Sequence, residues 1–165
     1  MNLEVYHPTV QAIVALLEKN NIRFETFEHE PVRTSEEAAQ VRTGYSLQQG
    51  AKALILRIKM PGNQNHFAQF VVPGDKKVNS KVVTQLLGAK NIRFAHPEEI
   101  AEITQGIEIG GIPPFGNLFG LSVYVDTSLL KQEKIIFNAG DRSFSIGMKL
   151  KDYLDVVKPI VITLT

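Results

Sequence analysis

The sequence predicts an α+β fold, a mixed and curved or barrel-like β-sheet with peripheral helices. Two observations lead there. About seven or eight strand-like stretches are interspersed with four or five helical ones, without the strict alternation of a doubly wound sheet. The strongest strand, residues 51–60, turns through Pro61-Gly62-Asn63 and returns over 67–72, which makes an antiparallel hairpin. No linker, repeat or low-complexity tract breaks the 165 residues, so residues 1–165 read as one domain.

The elements follow in order. Pro8 opens a helix that carries Val10, Ile13, Val14 and Leu17 on one side and stops at Asn20-Asn21. Residues 22–28 alternate apolar and polar, as a half-buried strand does. Thr34-Ser35-Glu36-Glu37 is a capping box for a short helix through Ala38 and Val41 that ends near Gly44. After the hairpin, Asn79 caps a helix with Val82, Val83, Leu86 and Leu87 on its inner side, and Gly88 ends it. A strand over 91–95 and an acidic helix over 97–104 come next. Gly and Pro make 106–116 an irregular loop. Strands are expected at 121–125, 135–138 and 143–148, with a turn at Gly140-Asp141. A helix over 149–156 and a closing strand over 160–164 complete the chain. That last strand seals the sheet within one chain or pairs across a dimer.

Composition excludes several chemistries. There is no cysteine, hence no disulfide, thiol nucleophile or thiolate metal site. The four histidines lack metal-ligand spacing, and no metal or other cofactor is expected. No Gly-x-Ser-x-Gly elbow, dinucleotide fingerprint or phosphate-binding Walker loop occurs. Eighteen basic residues against seventeen acidic ones leave a net charge of +1, so any nucleic-acid contact must come from a local patch. Neither a signal peptide nor an apolar run of about 18 residues is evident, so no membrane partner and a cytoplasmic location are expected.

Two features could carry chemistry. Lys52 alternates onto the row of Leu54, Leu56 and Ile58, a costly place for an ammonium unless its stem snorkels to water or its head meets a cavity. The stretch Gly110-Gly111-Ile112-Pro113-Pro114-Phe115-Gly116 is either a rigid connector or a bend whose successive N–H groups address one anion or oxyanion. His29 lines a pocket mouth or is simply exposed. Asp141-Arg142-Ser143 is a surface turn or a pocket wall.

In order along the chain, the Ala51-Lys52-Ala53-Leu54 strand, Val71-Val72-Pro73-Gly74-Asp75, the Gly110–Gly116 loop and Ala139-Gly140-Asp141-Arg142 resemble the YbaK-type aminoacyl-tRNA deacylases. These include the editing domain associated with bacterial prolyl-tRNA synthetases. The resemblance covers roughly residues 8–156. It implies a trans-editing hydrolase that cleaves the aminoacyl ester of mischarged tRNA, with tRNA for proline carrying Cys or Ala as the expected substrate. It implies the aminoacyl-tRNA 3′ end as partner, and prolyl-tRNA synthetase as a possible second one. Lys52 would orient the terminal adenosine through its phosphate. Gly110, Gly111 and Ile112 would surround the aminoacyl carbonyl with backbone donors, and Pro113 and Pro114 would hold the loop. His29, Thr34, Asp141, Arg142 and Ser143 would be substrate-binding residues. Ser143 departs from the family, which often has Gly there. The alternative is a non-catalytic module that binds aminoacyl-tRNA or an RNA end in association with a synthetase.

Overall fold

Eight strands and five α-helices make up the computed structural model, which describes every residue from Met1 to Thr165. In chain order they are α1 (Pro8–Lys19), β1 (Phe24–Glu28), α2 (Ser35–Val41), β2 (Ala51–Lys59), β3 (Asn65–Pro73), α3 (Ser80–Leu87) and β4 (Asn91–Phe94). Then come α4 (Pro97–Thr104), β5 (Val123–Asp126), β6 (Lys134–Asp141), β7 (Phe144–Lys149), α5 (Leu150–Val157) and β8 (Ile160–Ile162). The mixed α+β class is as the sequence predicts.

The strands form two sheets and not a closed barrel. One has the order β1-β7-β6 and is antiparallel; the other has the order β4-β2-β3-β5-β8, with β5 parallel to both β3 and β8. The reason lies along one edge of β2. Its beginning meets β6 at a single bridge, Gly50 to Ile136, and its end pairs with β4 over Leu56–Lys59. Between these contacts no strand lies alongside residues 51–54, so the two sheets diverge and leave a mouth.

Three apolar clusters sit around this frame. The largest packs α1, through Val10, Ile13 and Leu17, and α5, through Leu150, Tyr153 and Val157, against β6 and β7. A second lies under α3 and includes Leu56, Ile58 and Phe70. The third, Ile55, Ala95, Ile100, Ile107 and Ile112, underlies the mouth. Burial of these rows is the main drive for the fold, at about 25 cal/mol per Å² of apolar surface.

Several local expectations shift. The expected turn at Gly140-Asp141 is instead a bulged end of β6, with the irregularity between Asn138 and Asp141. Gly140 takes φ +108°, and a Cβ there would fall 2.8 Å from the Cβ of Thr9, so α1 packs directly on that glycine. Thr34 caps α2 by accepting from the Glu37 amide at 3.1 Å, but the Glu37 carboxylate reaches past it to the amide of Arg33. Leu86 is 55% exposed, so the inner side of α3 centres on Val83. The C-terminal strand β8 pairs with β5 of the same chain, and buried Asp126 accepts from the amide of Leu164.

Candidate active site

The mouth between β6 and β4 opens into a cavity of about 450 Å³. Its floor is the third apolar cluster, through Ile55, Ala95, Ile100 and Ile112. Lys52 lines it from β2. The alternation expected for Lys52 holds, since Leu56 and Ile58 lie in the core below α3. The Lys52 side chain is half-buried, and Nζ donates to the carbonyl oxygen of Lys76 at 2.5 Å. No carboxylate lies within ion-pair distance. Burial pushes its pKa down; Glu36 opposes that, Lys77 adds to it, and Asp75 opposes it. Arg33 and Lys77 also line the cavity, whose lining contains one carboxylate, Glu36, and no histidine.

The glycine–proline loop forms the facing wall. Gly110, at φ +93°, sits in a turn closed by the Gly111 amide donating to Glu108 O at 2.9 Å. The Gly111 amide is therefore already engaged, contrary to its expected part as a donor to substrate. The amides of Gly110 and Ile112 donate to no other group of the protein. Gly110 and Ile112 line the cavity, while Gly111, Pro113 and Pro114 stand behind them. Gln69 donates to Pro113 O at 2.9 Å and accepts from Gly116 N at 2.8 Å, and Tyr153 donates to Pro114 O at 2.6 Å. The loop is thus stiffened from within the core.

The other expected residues divide. Thr34 lines the cavity at the start of α2. His29, Asp141, Arg142 and Ser143 do not line it. Asp141 accepts from the amides of Ser143 and His7. Arg142 pairs with Glu108 at 2.6 Å and lies behind Gly110. The carbonyls of Arg142 and Ser143 accept from Val32 and His29. This turn therefore braces residues 29–32 and the back of the loop.

A polar network that the sequence reading missed completes the wall. Arg42, just past α2, lines the cavity and is 6% exposed. Its Nε donates to Ser145 Oγ at 3.0 Å and its Nη2 to Asn138 Oδ1 at 2.8 Å. Asn138 Nδ2 in turn donates to the carbonyl of Gly110. His29 Nδ1 bonds Glu30 O at 2.9 Å, and a carbonyl only accepts, so Nδ1 carries the hydrogen and Nε2 receives the Ser145 hydroxyl at 2.7 Å. Burial is the first cause that lowers the His29 pKa, with Arg42 adding to it. Burial also brings Arg42 down to about 10, still a cation at neutral pH. A signal existed: Asn138 and Ser145 are polar residues between apolar neighbours in β6 and β7 and face each other across the ladder.

A hollow lined by ammonium and guanidinium groups and by two residues whose amides are unengaged, with one carboxylate and no histidine, is chemically suited to an anionic ligand. No group of three His, Cys, Asp or Glu side chains converges as for a metal ion. The chain belongs to the aminoacyl-tRNA editing domain family, which matches residues 29–156. It is 32% identical over 152 residues to the multifunctional Ser/Thr-tRNA deacylase ProXp-y of Escherichia coli K12, covering 92% of this chain and 89% of that protein. It is 25% identical over 152 residues to the prolyl-tRNA editing protein ProX of Acetoanaerobium sticklandii, covering 90% of each. A solved structure proposed as a trans-editing enzyme for prolyl tRNA synthetase superposes with a TM-score of 0.77 at 26% identity, covering 96% of this chain and 98% of that one.

Proposed function

We propose that the chain is an aminoacyl-tRNA deacylase acting in trans: it hydrolyses the ester that joins a wrong amino acid to the 3′ end of tRNA. The observation that carries this reading is the shared hollow, lined both by Lys52 and by Gly110 and Ile112, whose amides donate to no group of the protein. Family membership and the deacylase relatives support the same chemistry.

In this mechanism Lys52, with Lys77 near it, holds the phosphates of the terminal nucleotides, and Arg33 adds a further cation to the cavity lining. Water adds to the ester carbonyl carbon, and the carbonyl electron pair moves onto oxygen, where the amides of Gly110 and Ile112 receive it. The tetrahedral species then collapses. The bond to the ribose oxygen breaks, and that oxygen takes a proton originating from the water. Free amino acid and tRNA with an intact terminal hydroxyl leave. An aminoacyl ester is already activated, so orientation and electrostatics suffice, with the neighbouring ribose hydroxyl helping to place the water.

The proposed substrate is tRNA for proline carrying a small residue, Ala or Cys, with prolyl-tRNA synthetase as the enzyme whose errors are cleared. The E. coli relative extends the candidates to Ser and Thr. A cavity with an apolar floor distinguishes such groups by size, at about 1–3 kcal/mol per methylene. No helix is long and apolar enough to cross a membrane, and work on tRNA implies the cytoplasm.

A panel of tRNAs charged with Ala, Cys, Ser, Thr and Pro tests the reading directly. Release of at least one small amino acid, with Pro-tRNA for proline spared, is expected. Tight binding across the panel without turnover would instead make the chain a binding module.

A further inference from the structure

Arg42 is an arginine fixed on the cavity wall with no counter-ion. It makes no ion pair, and its two bonded nitrogens go to neutral acceptors, Ser145 Oγ and Asn138 Oδ1. Its third nitrogen, Nη1, donates to nothing in the protein. No buried side-chain nitrogen or oxygen lacks a partner, so Nη1 keeps open surface, and the cavity is what Arg42 lines. A nearly buried cation is costly without a compensating charge, which is met here when a ligand brings negative charge to it. The Asn138 amide bonds both Arg42 and the carbonyl of Gly110, tying the guanidinium to the loop that carries the unpaired amides.

We propose that Arg42 is a catalytic residue that donates through Nη1 to the carbonyl oxygen of the scissile ester, with Ser145 and Asn138 as positioning residues. The inference rests on the deacylase reading. Of the groups an aminoacyl-tRNA end brings in, the α-amino group is cationic and is repelled by Arg42. The phosphates are met at the Lys52 and Lys77 end. The carbonyl oxygen remains, and it gains charge only as water adds: the new carbon–oxygen bond forms, the carbonyl electron pair moves to oxygen opposite Nη1–H, and that pair returns when the bond to the ribose oxygen breaks. A donor that meets charge chiefly in the transition state lowers the barrier without tightening ground-state binding.

The test uses single-turnover deacylation of each panel tRNA that the wild-type chain cleaves, with Arg42→Gln and Arg42→Lys compared. Dissociation constants for a 3′-amide-linked aminoacyl-adenosine, which cannot be hydrolysed, are measured beside them. Arg42→Gln is expected to lower the rate constant about 100- to 1,000-fold for every amino acid alike, with the analogue's Kd within about threefold of wild type. Arg42→Lys restores part of the rate by keeping the charge. A rate within about fivefold of wild type overturns the proposal. So does a loss that appears equally in Kd, or one confined to hydroxyl-bearing amino acids, which would make Arg42 a reader of the side chain. If Arg42→Gln does not fold, Ser145→Ala keeps the guanidinium and its bond to Asn138 while removing the acceptor of Nε, together with the hydroxyl that meets His29 and Asn138. An approximately tenfold slower rate in a folded protein supports the role, and an unchanged rate overturns it. An inactive wild-type chain would refute the deacylase reading itself, whereas an active one with indifferent variants refutes only the part given to Arg42.

Discussion

Gln69 accepts the amide hydrogen of Gly116 at 2.8 Å from a side chain with no exposed surface, and its own NH₂ reaches Pro113 O at 2.9 Å. One side-chain amide therefore closes both ends of a bend whose prolines have no N–H to offer. A Cβ at Gly116 would fall 3.0 Å from the Gln69 Cβ, so the two backbones approach as closely as glycine allows. Gln69→Leu keeps the volume but orphans a buried donor and a buried acceptor, at about 1–3 kcal/mol each. Urea unfolding should show a loss of about 2–5 kcal/mol. An unchanged midpoint would show that the bend is held by other contacts.

Lys52 sits where stability and activity separate. Burial disfavours its charged form, so its folded pKa lies below the unfolded value. A lysine shifted that way opposes folding while both states are protonated, and the penalty fades as pH rises from the folded to the unfolded pKa. Lys52→Met should therefore leave the melting temperature at neutral pH unchanged or slightly raised, while Lys52→Ala and Lys52→Met both abolish deacylation. A variant that keeps full activity would end the role given to this amine. A melting temperature many degrees lower would make Lys52 a structural residue.

His29 supplies a pH signature of the hidden network. Its pKa is lowered, first by burial, although the bond to Glu30 O pulls the other way. The unfolded chain thus takes up a proton near pH 6.5 and the folded chain only at lower pH. Stability falls as pH drops below about 6.5 and stops falling from this source once the folded pKa is passed. Protonation also turns Nε2 into a donor, so the Ser145 hydroxyl must turn to Asn138 Oδ1, at 3.1 Å. Unfolding free energies of wild type and His29→Asn, measured from pH 8 to 5, should diverge by a pH-dependent amount in that window. Parallel curves would mean that His29 titrates alike in both states.

The fold was legible where the chain speaks locally. Pro97 and Gly106 bracket α4, Asn79 and Gly88 bracket α3, and the period-two row from Lys52 to Ile58 survives intact. The split into two sheets was not legible, because it depends on which strand lies beside each half of β2, and nothing in residues 51–59 names those neighbours. At the site, Lys52 and the loop announced themselves through an ill-placed charge and an excess of glycine and proline. Arg42 did not, since an arginine after a short helix looks like a solvated end, and its burial depends on Asn138 and Ser145, 96 and 103 residues away in the chain. The engaged amide of Gly111 was equally invisible, because turn closure depends on backbone angles that composition leaves free.

Phe94 gives the mouth an aromatic face. It ends β4 on the cavity rim and is 60% exposed, an expensive place for a phenyl ring that packs on no partner of its own. A terminal adenine entering with its phosphate near Lys52 would find that ring further along the same cavity, and base–aromatic stacking contributes about 1–3 kcal/mol. Phe94→Ala should raise KM for an aminoacyl-tRNA by about 5- to 100-fold with kcat little changed, because stacking holds the ground state and transition state equally. Phe94→Tyr should retain wild-type KM. The melting temperature should stay level, since the ring contributes little buried surface. A KM that ignores the loss of the ring would place the adenine elsewhere on the rim, whereas a fall in kcat alone would mean that Phe94 shapes the cavity around the reacting ester.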